Sequence, residues 1–265
     1  MARYVKIAAV QFASRIDREA PEAYDTVVGE TRDTLDSLKG YGLDLVVFCE
    51  GVEATAQRPD QAEAADEPGP LLRAYAEFAQ TEGCHVAGSI KLREGDGVHN
   101  SIAFVGPEGA VLGSYHKSFL TDGERGRGLA PGPGARIVET AIGRLGGAIC
   151  FDLNFRPLRR QYAALKPDIL CFASMYHGGL VQGIWAYACR AFFVSALQMH
   201  GCGILDPFGR PIKLSDCYTS IPRATINLDR AMVHLDGNRE KFPAIEKAYG
   251  DEVQIDIPPN VGSAL

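Results

Sequence analysis

The chain has 265 residues, of which 46% are hydrophobic, and its 33 acidic residues outnumber 27 basic ones to give a formal net charge of −6. This composition excludes a largely disordered chain and disfavours a nucleic-acid coat, which would carry a basic excess. Apolar runs fall far short of the roughly 18 residues of a membrane span, so we expect a soluble, cytoplasmic protein without nucleic-acid or membrane partners.

The sequence pattern alternates between strands and helices along most of the chain. Short β-branched runs predict strands, and longer stretches with apolar residues at helical spacing predict helices. The predicted strands are 5–12, 43–50, 85–92, 100–105, 110–115, 136–140, 144–150, 168–173, 193–198 and 223–228, and the predicted helices are 21–38, 70–83, 157–166, 183–190 and one within 238–251. The Gly- and Pro-rich segment 121–135 predicts a loop without regular structure.

This order predicts the α/β class, with two mixed sheets flanked by helices. No linker composition divides the chain, so we expect one domain over 1–235 and a C-terminal extension over 236–265 that makes oligomer contacts. Strand–helix–strand units over 5–50 and 144–174 suggest two similar halves.

Several common active-site motifs are absent from the sequence. It contains no phosphate-binding G-x-x-x-x-G-K-[ST] loop, no G-x-S-x-G serine elbow and no H-E-x-x-H zinc motif. The seven cysteines include no C-x-x-C pair, which disfavours a disulfide framework and a zinc ribbon. Most of these thiols are expected to pack in the core.

Three polar residues stand at the ends of otherwise apolar strands: Glu50, Lys117 and Cys150. Each alone has an ordinary structural interpretation, as a solvated strand end or a core thiol. Together they are complementary, since a thiol needs a base to become a nucleophile, and an ammonium can stabilise both a thiolate and an oxyanion.

These residues and their surroundings, VVFCE, YHKSFL and GGAICFDLNF, resemble the nitrilase superfamily of carbon–nitrogen hydrolases, in which Glu, Lys and Cys occur in this order. The resemblance runs from AAVQF near the N-terminus to about residue 228. It implies an α-β-β-α sandwich that pairs into a four-layer homodimer or higher homo-oligomer, with no metal or other cofactor. It also implies a second glutamate after the lysine, for which Glu124 is the candidate.

The residues after Cys150 differ from the commonest family pattern. Asn154, Arg156 and Pro157 depart from it, whereas Cys-Phe-Asp, in place of Cys-Trp-Glu, favours amides over nitriles. Phe151 would supply a backbone N–H to the oxyanion. Further candidates for substrate binding are Asn154, Tyr176 and His177.

The resemblance therefore predicts a thiol-dependent amidohydrolase that cleaves a small amide through a thioester on Cys150. Arg125, Arg127 and Arg156 are candidate cations for an acidic substrate, the alternative being solvated charges. An N-carbamoyl amino acid amidohydrolase and a nitrile hydrolase of the same superfamily stay open. An acyltransferase or a catalytically silent binding protein would be alternatives of another class.

Overall fold

The computed structural model describes residues 3–199, 201–257 and 263–264. Two compact units divide the chain, one over Val5–Ile226 and one over Met1–Tyr4 with Asn227–Leu265. The larger unit holds the two six-stranded sheets and the candidate site. Of the predicted C-terminal extension, residues 258–262 and 265 lie outside the described residues.

The first sheet combines a parallel centre with an antiparallel meander. Its strands, in the order β12-β1-β2-β3-β4-β5, are Arg223–Asn227, Tyr4–Val10, Leu45–Phe48, His85–Glu94, Gly97–Val105 and Val111–His116. All of β2 is buried, and this strand pairs in parallel with β1 and β3. Its continuous apolar run is therefore explained by layers on both faces.

The second sheet repeats this arrangement and confirms the α/β class with two mixed sheets. Its strands β6 to β11 are Ile137–Thr140, Gly143–Ile149, Ile169–Ser174, Phe192–Leu197, Gly203–Leu205 and Pro211–Leu214, and they lie in sequence order. β7, β8 and β9 are parallel neighbours, while the outer pairs are antiparallel. The carboxyl end of β7 leads directly to Cys150.

The principal helices of this unit pack in pairs. Helix α1 (Ala23–Asp36) contacts α3 (Pro70–Glu82), and α5 (Arg156–Leu165) contacts α6 (Val181–Cys189). The Glu63 carboxylate accepts the backbone N–H groups of Leu71 and Leu72 at 2.9 Å each, satisfying donors in the first turn of α3. Gly83 ends that helix in the left-handed region. No helix in the described residues is long and apolar enough to cross a membrane.

Two short helices were not predicted from the sequence. Helix α2 (Gly51–Ala56) directly follows Glu50, and helix α4 (Asp122–Gly126) lies inside the segment predicted as an irregular loop. The latter prediction was wrong because Thr121 and Glu124 form a capping box that starts a helix despite the surrounding glycines.

The smaller unit contains helix α7 (Phe242–Tyr249), as predicted within 238–251. It also contains the antiparallel pair β13 (Val233–His234) and β14 (Ser263–Ala264). Its predicted role in oligomer contacts stays a prediction.

Candidate active site

Glu50, Lys117 and Glu124 meet as a buried cluster at the ends of β2 and β5 and in α4. Lys117 Nζ donates to Glu50 Oε1 at 2.9 Å and to Glu124 Oε1 at 2.8 Å. Only 1% of the Lys117 side chain is exposed, so solvent screens these ion pairs little. One ammonium therefore holds two carboxylates side by side.

Cys150 lies at a sharp turn where β7 ends and a 3-10 helix, Cys150–Asn154, begins. Its φ of 46° falls in the left-handed region, which disfavours a residue with a Cβ atom. Strained backbone of this kind is concentrated at functional sites. The turn leaves the Cys150 side chain partly accessible, whereas Cys49, Cys84, Cys171, Cys189 and Cys202 are buried.

The Cys150 thiol lies on the same cavity wall as the Glu50 carboxylate, and both Glu50 and Lys117 influence its ionisation. Burial raises the pKa of the Cys150 thiol to about 12, and the Glu50 carboxylate adds to this rise, whereas Lys117 opposes it. The resting side chain is therefore a neutral thiol beside a carboxylate. Activation of this thiol requires transfer of its proton to a base.

Charge pairing determines the protonation of the other two groups. Burial alone would lower the pKa of Lys117, but Glu50, Cys150 and Glu124 raise it above its ordinary value. Burial alone would raise the pKa of Glu124, but Lys117, Asn100 and Thr121 lower it. Lys117 is consequently an ammonium, and Glu124 a carboxylate, across the neutral pH range.

Asp152 connects the turn at Cys150 with the loop after Lys117. Its side chain is fully buried and accepts the N–H groups of Ile149 at 3.0 Å, Ser118 at 3.1 Å and Phe119 at 2.8 Å, together with the Tyr115 hydroxyl at 2.7 Å. Burial raises the pKa of Asp152 to about 6, although the hydrogen bonds from Tyr115, Ile149 and Phe119 favour its ionised form. The carboxylate thereby fixes the spacing of Cys150 and Lys117.

Aromatic residues support the same turn from its outer side. Trp185 is buried in α6 and donates from Nε1 to the Leu153 carbonyl at 2.9 Å. The Phe119 and Phe155 rings stack with centroids 3.8 Å apart. These contacts hold the 3-10 helix after Cys150 against both the lysine loop and α6.

A cavity of about 320 Å³ opens onto the cluster. Glu50, Lys117, Glu124 and Cys150 all contribute to its wall. The remaining lining residues come from six segments: Arg18 and Glu19; Ala56, Gln57, Arg58 and Pro59; Lys91; Asn100; Thr121, Arg127 and Leu129; and Met175. The volume suits a small molecule rather than a peptide.

The side chains of the other predicted binding residues are not part of this wall. Phe151, Asn154, Tyr176 and His177 are absent from the cavity lining formed by the described residues. Asn154 Nδ2 donates to the Tyr176 hydroxyl and the Phe151 carbonyl, both at 3.2 Å. His177 Nδ1 accepts the Gly179 N–H at 3.0 Å, just before α6. Their proposed contact with substrate stays a prediction.

Sequence reasoning missed several residues of the site. Asn100, buried in β4, donates to both Glu50 and Glu124, and the Met175 N–H donates to Glu50 Oε2 at 3.2 Å. Arg18 and Arg58 join Arg127 on the cavity wall, whereas Arg125 and Arg156 do not line it. The only available signal for Asn100 was a polar side chain in the apolar run from 100 to 105.

A family model described as carbon-nitrogen hydrolase matches residues 6–230 of the chain. The chain belongs to the carbon–nitrogen hydrolase family. Membership of this family confirms the resemblance to the nitrilase superfamily. The matched region contains every residue of the cluster described above.

Relatives of this carbon–nitrogen hydrolase include two omega-amidases. A chloroplastic omega-amidase of Arabidopsis thaliana is 30% identical over 64% of the chain and 52% of its own length, so the chain aligns with about half of that protein. The omega-amidase NIT2 of Danio rerio is 25% identical over 84% of the chain and 89% of its own length.

Solved structures of the superfamily share the fold. Nit3 of Saccharomyces cerevisiae superposes with a TM-score of 0.73, covering 95% of the chain and 96% of its own at 16% identity. An amidase of Nesterenkonia sp. gives 0.70, covering 90% and 96% at 17% identity. At these identities the likeness establishes the sandwich of two mixed sheets and flanking helices.

Proposed function

We propose that this carbon–nitrogen hydrolase is a thiol-dependent amidohydrolase of small amides, with Cys150 as nucleophile and Glu50 as general base. The observation that carries the proposal is the cluster in which Lys117 bridges Glu50 and Glu124 on the same cavity wall as the Cys150 thiol. All four side chains face one cavity.

In the acylation step, Cys150 Sγ attacks the amide carbonyl while its proton passes to Glu50. The Lys117 ammonium and the backbone N–H of Phe151 stabilise the negative oxygen of the tetrahedral intermediate, a contribution worth about 10²- to 10³-fold per donor. The C–N bond then breaks as Glu50 returns the proton to the departing nitrogen. Ammonia or an amine leaves, and the acyl group stays on Cys150 as a thioester.

In the deacylation step, Glu50 takes a proton from a water molecule that attacks the thioester. The C–S bond breaks, the carboxylic acid leaves, and the proton on Glu50 returns to Cys150. Net charge within the cluster is unchanged by each proton transfer from Cys150 to Glu50, because both groups lie inside it. A buried site favours such transfer, since a change in its net charge is costly.

The cavity charges support an amide that carries a carboxylate. Five basic residues line the wall, Arg18, Arg58, Lys91, Lys117 and Arg127, against three acidic ones, Glu19, Glu50 and Glu124. Lys117 is paired with Glu50 and Glu124, and Arg58 forms an exposed pair with Asp60. Guanidinium groups bind carboxylates well because their planar donors match the two oxygens. The names of the omega-amidase relatives are consistent with a terminal amide on such a substrate.

The test is a screen of ammonia release with matched substrate pairs. The monoamide of succinic acid is compared with butyramide, which has the same amide and chain length but no carboxylate. N-carbamoyl amino acids and the corresponding nitriles complete the panel, and added hydroxylamine detects acyl transfer. We expect the anionic amide to have the higher kcat/KM. Arg127→Ala should remove this preference with less effect on butyramide.

Failure of every amide, with no covalent change at Cys150, would overturn the amidohydrolase proposal and leave a binding protein. Equal turnover of the matched pair would overturn only the anionic substrate. Hydroxamate formation that dominates over hydrolysis at low hydroxylamine concentration would instead indicate an acyltransferase.

We also propose that the chain assembles into a homodimer or higher homo-oligomer, as its superfamily resemblance implies. Leu180, Ile184 and Tyr187 expose apolar surface at and within α6, and clustered exposed apolar residues favour association. Light scattering coupled to size exclusion measures the assembly, and a monomeric mass would contradict it.

A further inference from the structure

Asn100 lies at the centre of the cluster, although it carries no charge. It belongs to β4 and is 2% exposed. Its Nδ2 donates to Glu50 Oε1 at 2.9 Å and to Glu124 Oε1 at 2.8 Å. These are the two oxygen atoms that Lys117 Nζ also contacts. Two donors and two acceptors therefore alternate around a closed ring.

The surroundings determine which way the Asn100 amide points. Its Nδ2 faces two carboxylate oxygens, while its Oδ1 is buried without a hydrogen-bond partner in the described part of the chain. The reversed amide would set its oxygen against both carboxylates. The N–H groups must therefore point into the ring.

The main chain adds rigidity to this ring. The Lys117 N–H donates to the Asn100 carbonyl at 2.8 Å, so the two donors are fixed to each other through backbone as well as through the carboxylates. A short side chain on a strand has fewer rotatable bonds than the lysine stem. Asn100 is therefore suited to setting the position of the carboxylates, and Lys117 to neutralising them.

The charge of the cluster explains why a neutral donor is needed. Glu50 and Glu124 together carry two negative charges against the one positive charge of Lys117. A hydrogen bond to a carboxylate favours its ionised form without adding charge. We propose that Asn100 is a positioning residue of the amidohydrolase reaction, which holds the Glu50 carboxylate oriented to accept the Cys150 proton. This inference rests on the proposed function.

The test measures alkylation of Cys150 by iodoacetamide, followed at each cysteine by peptide mass spectrometry. It requires no substrate, and the exposed Cys217 provides an internal control. Wild type is compared with Asn100→Ala, Asn100→Ser and Asn100→Asp from about pH 8 to about pH 5.5. Circular dichroism confirms that each variant is folded. Gln57→Glu is the matched control, because Gln57 is another buried amide on the cavity wall. Its Oε1 accepts the Lys91 N–H, and its amide is not bonded to Glu50 or Glu124.

We expect Asn100→Ala to slow Cys150 alkylation about tenfold or more, the size of effect that losing a hydrogen bond to a charged group produces, and to leave Cys217 unchanged. Asn100→Ser, which keeps a donor, should lose less. Asn100→Asp should alkylate slowly at Cys150 at about pH 8. Its rate relative to wild type should recover as pH falls, because a protonated carboxyl group can donate a hydrogen bond, as the amide does. Gln57→Glu should show no such recovery.

The role of Asn100 would be overturned if Asn100→Ala and Asn100→Ser both alkylated at Cys150 as fast as wild type. It would also be overturned if the ratio of the Asn100→Asp alkylation rate to the wild-type rate did not change with pH. If one variant does not fold, the others decide by the same criteria. Failure of the proposed function is distinguishable, because the wild type would then release ammonia from no amide, whatever the alkylation rates of the Asn100 variants.

Discussion

The Asp152 carboxylate accepts the backbone N–H of Phe119 at 2.8 Å and thereby joins the turn at Cys150 to the loop after Lys117. The same side chain accepts the Ile149 N–H, one residue before Cys150. One buried carboxylate therefore holds the backbone before Cys150 and the backbone after Lys117 to each other.

Asp152→Asn should reduce kcat far more than it changes KM. The amide would turn an N–H against one of the donors that now face a carboxylate oxygen, and displacement of the lysine loop by about 1 Å can cost about 10²-fold. Steady-state kinetics on the best amide checks this. Tyr115→Phe removes one of the donors to Asp152 and should have a smaller effect. A kcat for Asp152→Asn equal to that of wild type would contradict the positioning role.

Cys150→Gly should be more stable than Cys150→Ala by about 1 kcal/mol, while both lack turnover. Glycine adopts the positive φ of 46° without the Cβ clash that alanine retains, and part of this gain is offset by the greater freedom of glycine in the unfolded chain. Denaturant unfolding measures the difference. An alanine variant as stable as the glycine variant would show that the turn stores no strain.

Lys117→Ala should destabilise the fold by about 3–5 kcal/mol, because it leaves two carboxylates buried without a cation. Adding Glu124→Gln to this variant should recover part of the loss, since it removes one of the unpaired charges. Lys39→Ala is the control: Lys39 forms an exposed pair with Asp36 and should change stability by less than about 1 kcal/mol. Equal losses from the two lysine substitutions would contradict the buried ion pairs.

Glu124→Gln should alter the pH dependence of stability in acid. A carboxyl whose pKa is lowered by folding contributes stability that is fully present above its unfolded pKa and lost as pH falls through its folded pKa. The advantage of wild type over Glu124→Gln should therefore shrink from about pH 5 downward. Unfolding free energies at several pH values check this, with Glu77→Gln as an exposed control. A constant advantage would exclude this linkage.

Sequence reasoning identified the three reactive groups because each follows an apolar strand, where a polar side chain interrupts the pattern. Glu50, Lys117 and Cys150 are indeed brought to one cavity. Glu124 came from the family resemblance alone. Its helix was missed because the glycines around it outweighed the capping box at Thr121.

Other parts of the site left no comparable signal in the sequence. Asn100 lies within a strand, so its role depends on which residues the topology places beside it. The same holds for Arg18 and Arg58, which come from segments far from Arg127 in sequence and meet it only on the cavity wall. Asn154 follows Cys150 closely in sequence, and its side chain contacts Tyr176 and the Phe151 carbonyl; its contact with substrate stays a prediction.

The central claim is that Cys150 is the nucleophile, and the most direct test is ammonia release by Cys150→Ala on the best amide of the screen. Cys217→Ala is the matched control, because Cys217 is an exposed thiol outside the cavity. We predict that Cys150→Ala loses at least about 10⁴-fold in kcat while remaining folded, and that Cys217→Ala behaves as wild type. Turnover by Cys150→Ala within about tenfold of the wild-type rate would contradict the account.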